Sequence, residues 1–284
     1  MNKYRTDLAE EVLSAQKASS IEGVDVSEQS RNGFRLYSVK VNSVTAEYLL
    51  GKPRGRYLTF SLRKDYKFDK SGFSDAVSIL SDAISEFLPR QGDILVSGLG
   101  NTAITSDAVG PMTLQQIIVT RHLVNTLPER FREVRRVAAF SPGVLGVTGL
   151  EASDILSGIF SVFKPAALIV IDALAAESAS RLLTTVQITD TGLVPGAGVG
   201  NARAALTPEK LGIPVIAIGV PTVIYTETLL RETSRDLASP FGDLIVTPKD
   251  IDTAVKDMAK LIGYALDLAL FPGMTISDAA HFLA

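Results

Sequence analysis

Residues 93–112, DILVSGLGNTAITSDAVGPM, decide how the rest of the chain is read. The stretch opens on an apolar run, Ile94-Leu95-Val96, turns on Gly98-Leu99-Gly100-Asn101, and reaches a helix start around Asp107. A strand that runs straight into a glycine turn delivers the next residues to the carboxyl edge of a sheet, where open α/β sheets bind their ligands. A second aliphatic run, residues 166–172 (AALIVID), ends on a carboxylate. Together the two runs lead us to expect that Asp107 and Asp172 meet across one sheet edge.

Outward from this stretch the chain alternates strands and helices. Strands are predicted over 94–97, 134–140, 166–171, 184–188, 215–219 and 244–246, and helices over 107–127, 151–162, 226–237 and 249–270. Near-continuous aliphatic strands separated by helices imply a mostly parallel or mixed sheet covered by helices on both faces. Upstream, residues 73–88 carry Phe73, Ala76, Ile79, Leu80, Ile84 and Leu88 on one helical stripe. Residues 34–42 alternate as a half-buried strand, followed by a short helix (45–50) and a strand (56–63), and read as a small β-containing side element. Residues 19–33 are polar and turn-rich, and residues 4–18 read as a loosely attached amphipathic helix.

Composition narrows the chemistry. The 284 residues, 46% apolar and 21% charged, suit a soluble α/β protein with a sizeable core. A net charge of −3 argues against a basic nucleic-acid-binding face. The absence of cysteine excludes disulfides, thiolate catalysis and Cys-ligated zinc. Two histidines, His122 and His281, leave little room for a multi-histidine metal centre. The N-terminus lacks the apolar core of a signal peptide, and the longest uncharged run, 211–226, is interrupted by Pro214 and Pro221. A soluble, intracellular protein without a membrane span is expected.

Each motif has a bland alternative. The Gly98-Leu99-Gly100 turn is a weak dinucleotide signal, because Ala103 stands at the third glycine position and Thr102–Ser106 intervene before the helix start at Asp107. No lysine follows a glycine loop in the manner of a P-loop. Asp107 also suits a helix N-cap, and Asp172 a loop-capping carboxylate. As a pair, they suit either two carboxyls sharing a proton or a metal with water ligands. The loop 189–201, TDTGLVPGAGVGN, places Gly192, Gly196, Gly198 and Gly200 close together, which suits close approach of a substrate or a plain connector.

The segments GLGNTAITSDAVGP, SPGVLGVTGLEASD, IDALAAESASRL, ITDTGLVPGAGVGN, LGIPVIAIGVPTV and VTPKDID, in this order, resemble the bacterial germination protease family, from Arg5 to about Leu270. The resemblance implies an endopeptidase that starts the degradation of small acid-soluble, DNA-coating spore proteins. It implies a phosphorylase/hydrolase-like α/β sandwich related to hydrogenase-maturation peptidases. Asp107 and Asp172 fall on the positions of the family's proposed catalytic aspartates, with no metal and no cofactor. Asn101, Thr189, Asp190, Gly198 and Asn201 become candidates for the substrate cleft. Arg5-Thr6-Asp7-Leu8-Ala9 resembles the family's self-cleavage site, with the cut between Asp7 and Leu8. That makes residues 1–7 a propeptide and 8–284 a single peptidase domain. The resemblance further implies a homotetrameric zymogen in the cytoplasm of the forespore and spore core, without direct nucleic-acid contact. A metal-dependent maturation-type peptidase using the same carboxylates is the alternative, and a nucleotide or small-ligand binder is a more distant one. The family carries a longer stretch where residues 224–245 are short here.

Overall fold

A computed structural model describes residues 6–15, 21–63, 65–66, 71–233 and 244–283. One mixed sheet of nine strands runs through it. The strands are β1 (Val24–Arg31), β2 (Phe34–Val41), β3 (Gly55–Ser61), β4 (Ile94–Gly98), β5 (Val137–Phe140), β6 (Ala167–Ala176), β7 (Thr185–Thr189), β8 (Val215–Tyr225) and β9 (Ile245–Val246). Their order is β1-β2-β3-β7-β8-β6-β4-β5, with β9 pairing β8. The pairs β4–β5, β4–β6 and β6–β8 are parallel, and β1–β2, β2–β3, β3–β7, β7–β8 and β8–β9 are antiparallel.

The two faces follow from residue parity, since successive strand side chains point to opposite sides. Ile94, Val96, Ile169, Ile171, Ile216 and Ile218 enter one core with the helices α3 (Gly72–Ser85) and α11 (Ile251–Leu270). Leu95, Leu168, Val170, Val215 and Ala217 face the other side, where α8 (Ala152–Val162) adds Leu156. Further along that second side, α1 (Ala9–Ala15) and α2 (Val44–Leu50) cover Val39, Val41 and Tyr57.

Several expectations change. The predicted helix over 107–127 is broken into a 3₁₀ turn (Thr105–Asp107), α4 (Val109–Leu114) and α5 (Arg121–Thr126). The break falls on Ile117-Ile118-Val119-Thr120, four β-branched residues that resist helix. Thr120 instead pairs with β5, its N–H donating to the Val137 carbonyl at 3.0 Å and its hydroxyl accepting from the Val137 N–H at 3.0 Å. The polar residues 19–33 contain the edge strand β1, nearly all exposed, where two wetted faces erase the alternation that marks a strand. The expected side element is continuous with the main sheet through the β3–β7 pairing. β8 runs six residues past its predicted end at Gly219, because Pro221 sits where the β6–β8 register shifts, a place that requires no ladder donor.

The N-terminal helix is not loosely attached. Leu8, Ala9, Val12 and Leu13 are buried, and Glu10 is held by Arg35 and by Arg181 at 2.6 Å. The part of that expectation on residues 4, 5 and 16–18 lies outside the described residues, as do residues 234–237 of the helix predicted over 226–237, now α10 (Thr226–Thr233). The one-turn helices α6 (Pro128–Phe131), α7 (Leu145–Thr148) and α9 (Pro208–Leu211) lie in the connections, and a short C-terminal helix, α12 (Ile276–Phe282), adds a capping box between Thr275 and Asp278.

Candidate active site

The site forms where β6 outruns its neighbour. Pairing with β4 ends at Ile171, whereas β6 continues to Ala176. Residues 172–176 therefore present an edge that β4 has vacated. Asp172 shares the parity of Leu168 and Val170, so its side chain stands on the α8 face. A cavity of about 650 Å³ opens above it, lined by Asp7, Lys52, Asp107, Asp172, Gln187 and the loop around Gly198, among others.

Asp107 arrives from the glycine turn. Gly100, at φ +112°, lies so close that a Cβ there would meet the Asp107 carbonyl oxygen at 1.9 Å. This approach lets the Asn101 N–H donate to Asp107 Oδ2 at 2.8 Å. Asp107 is half-buried, and burial raises its carboxyl above the ordinary range against the pull of the Asn101 amide. Asp172 is only 5% exposed. Burial first, and then the charge of Asp107, push its carboxyl well above the usual value, opposed by the Ala173 N–H at 2.9 Å. Two carboxyls felt by one another, one deeper than the other, is an arrangement that separates an acid from a base.

Asp7 is the third carboxylate. Its N–H donates to the Ala175 carbonyl at 3.1 Å and its Oδ2 accepts the Ala175 N–H at 2.9 Å, so the segment docks on the vacated edge of β6. Its charge acts on Asp172, adding to the upward push there. Leu8 is fully buried, and its N–H donates to Thr6 Oγ1 at 3.0 Å.

The remaining candidates divide. Thr189, Gly198 and Asn201 line the cavity. The hydroxyl of Thr189 is bonded to that of Thr191 at 2.9 Å. Asn101 acts through its backbone on Asp107 and does not line the cavity. Asp190 is exposed and lies outside it, accepting from the Arg56 N–H at 2.8 Å and tying β3 to β7. His122, on α5, is exposed and also away from the cavity. Among the described residues, no three of His, Asp and Glu come together as a metal-binding group.

Sequence reading passes over Lys52, Gln187 and the backbone of Ala175. Lys52 follows the Gly51 cap of α2, in the stretch read as a side element. The one available signal for Gln187 is a long amide within the otherwise apolar and hydroxylic strand TVQIT.

Comparison with known proteins identifies the family of the chain. The family model described as Germination protease matches residues 4–235. The germination protease of Caldanaerobacter subterraneus subsp. tengcongensis is 39% identical over 316 aligned positions, covering 98% of this chain and 98% of that protein. The Bacillus subtilis germination protease is 41% identical over 256 positions, covering 85% of this chain and 69% of the relative. Among solved structures, the NiFe hydrogenase maturation protease HycI from Thermococcus kodakarensis matches at 17% identity and a TM-score of 0.36, over 65% of this chain and 98% of that one. With the family model spanning most of its residues and a relative 39% identical over nearly the full length of both chains, the chain belongs to the germination protease family and is a peptidase.

Proposed function

We propose that the chain is an endopeptidase of germinating spores that cuts small acid-soluble spore proteins after an acidic residue, and that it is made as a zymogen cut between Asp7 and Leu8. In this reading Asp107 and Asp172 activate the attacking water. The observation that carries the proposal is the lining of a single cavity by Asp7, Asp107 and Asp172. Residues 1–7 are then the propeptide and 8–284 the working domain. The homotetramer and the forespore location rest on the family resemblance alone.

The roles follow from burial. Asp172, the deeper carboxyl, holds a proton and acts as the acid toward the leaving nitrogen of Leu8. Asp107 is half-buried and accepts a backbone N–H, which favours its ionised form, so it takes the proton from water. A resident Asp7 on the edge of β6 also explains latency, since an incoming substrate needs that same edge.

The test is incubation of the purified full chain, alone and with a small acid-soluble spore protein, beside Asp172→Asn, with and without a chelator. Loss of seven residues and cleavage after acidic positions, both absent in the variant and indifferent to chelator, is the expected result. Processing by the variant at the parent rate overturns the assignment, and chelator sensitivity moves the chemistry to a metal.

A further inference from the structure

The carbonyl oxygen of Asp7 is met by two side chains that have no part in the acid–base chemistry of the aspartates. Lys52 Nζ donates to it at 2.8 Å and Gln187 Nε2 at 3.2 Å. In a segment docked like an added strand, such an oxygen is ordinarily met by a neighbouring backbone N–H. Here it is met by an ammonium and a primary amide.

Both donors are held in place. Gln187 is fixed at its other end, where its Oε1 accepts the Ala9 N–H at 2.7 Å, so the amide spans the Asp7–Leu8 bond from both sides and its orientation is set by two partners. The sheet supplies the placement. Asp172 and Gln187 are both in register with Gly219 of β8, which lies between their strands. They share one face, roughly two strand spacings or 9–10 Å apart. The central position carries no side chain, and Leu174 lies over it instead. A peptide over this row has the deeper carboxyl on one flank and an amide donor on the other.

Lys52 is not simply the counter-ion of a carboxylate. Its Nζ contacts the Asp7 carbonyl, while the Asp7 carboxylate accepts from Ala175. The Glu11 carboxylate accepts from the backbone N–H groups of Glu177 and Ser178, at 2.8 and 3.0 Å. Burial holds the Lys52 amine below its ordinary value, and the charges of Asp7 and Glu11 oppose that fall.

We infer that Lys52 and Gln187 form the oxyanion-binding pair of this peptidase, polarising the carbonyl of the acidic residue before the cut, in Asp7 and in a substrate alike. The inference rests on the proposed cut between Asp7 and Leu8. Water oxygen bonds to the Asp7 carbonyl carbon as one water proton passes to the basic carboxylate. The carbonyl π pair moves onto oxygen, where Lys52 and Gln187 receive the negative charge. Return of that pair breaks the bond to the Leu8 nitrogen, which takes the proton of the acidic carboxyl. The products are a new carboxyl on Asp7 and an amine on Leu8. Donors aimed where charge develops stabilise the transition state more than the ground state, and losing one typically costs roughly 10²- to 10³-fold in rate.

The experiment follows first-order loss of the first seven residues from the full chain by mass spectrometry, for the parent, Lys52→Met and Asp172→Asn. Hydrogen exchange of the Asp7 N–H, measured with Lys52→Met placed in the uncleavable Asp172→Asn background, reports whether the segment stays docked. Methionine is one atom shorter than lysine and leaves an unbranched apolar chain in a half-buried place. The expected result is a fall of at least about 100-fold with exchange protection retained. Gln187→Met, read by rate and exchange in the same way, is expected to behave alike. A rate near the parent's overturns the inference and leaves the aspartate reading standing. A fall accompanied by lost protection also overturns it, since Lys52 then only anchors the segment. A parent that does not lose seven residues, or an Asp172→Asn chain that does, brings down the reading on which it rests.

Discussion

Ala175 exchanges two hydrogen bonds with Asp7, donating its N–H to the carboxylate at 2.9 Å and accepting the Asp7 N–H on its carbonyl at 3.1 Å. Gly198 closes the other side of that carboxylate. A Cβ at Gly198 would lie 1.9 Å from Asp7 Oδ2 and 2.9 Å from the Ala175 Cβ, a contact that displaces the docked segment. Gly198→Ala should therefore slow loss of the first seven residues by at least about tenfold, because misplacement by about 1 Å costs up to 10²-fold in a positioned reaction. Mass spectrometry of the full chain measures this, with the melting temperature as the control for an intact fold. Processing at the parent rate would mean that the carboxylate does not sit against this glycine when the bond is cut.

Asp172 is expected to trade stability for function. Its carboxyl is buried beside a second carboxyl, and both burial and that neighbour oppose its ionisation. Asparagine has nearly the same shape and no charge. Asp172→Asn should abolish self-processing, a loss on the order of 10³-fold or more for a positioned acid, while raising the melting temperature near pH 8. A lower melting temperature in the variant would show that the carboxyl contributes net stability through a contact the aspartate alone makes.

The pair also sets a pH profile. The acid role requires Asp172 protonated, so the rate falls as pH rises through its elevated value. The base role requires Asp107 ionised, so the rate falls as pH drops through its own value. Processing is thus bell-shaped, and it accelerates when a solution above the optimum is acidified toward it. Because the charge of Asp107 helps hold the Asp172 proton, Asp107→Asn should shift the Asp172 titration downward. Carbon-13 NMR of labelled aspartates reads that shift. An unmoved titration would separate the two groups electrostatically.

Much of this architecture is legible in the sequence for a physical reason. Ile94-Leu95-Val96 and the run from Ala167 to Ile171 are buried on both faces, so they must be continuously apolar, and the chain ends of such strands mark the site. Asp107 and Asp172 stand out in the sequence because each follows such an apolar run, although β6 itself continues past Asp172 to Ala176. Gln187 and Lys52 are harder, since their placement depends on the β6–β8–β7 row and on a turn after α2, both long-range pairings with no local signature. The edge strand β1 escapes notice because water on both faces removes its alternation. The break at residues 117–120 lies in plain β-branched residues, but an apolar helical stripe around them masks it.

That same break creates a titration away from the cavity. Asp267, on α11, is fully buried, and its Oδ1 accepts the Ile118 N–H at 2.8 Å, while Oδ2 has no partner among the described residues. Burial pushes its carboxyl up to about 7, against the pull of the Ile118 amide. In the unfolded chain an aspartate titrates near 3.9. Between about 4 and 7 the folded chain therefore binds a proton that the unfolded chain releases, and stability from this group grows as pH falls across that window. Above about pH 7 that stability is lost, a difference of roughly 4 kcal/mol at 1.36 kcal/mol per unit. Asp267→Asn keeps an acceptor for Ile118 and cannot ionise. Its melting temperature should exceed the parent's at pH 8, and the gap should close toward pH 5. The cavity aspartates titrate alike in both proteins and cancel in that difference. A gap that widens on acidification would mean that the carboxylate is held ionised in the folded chain.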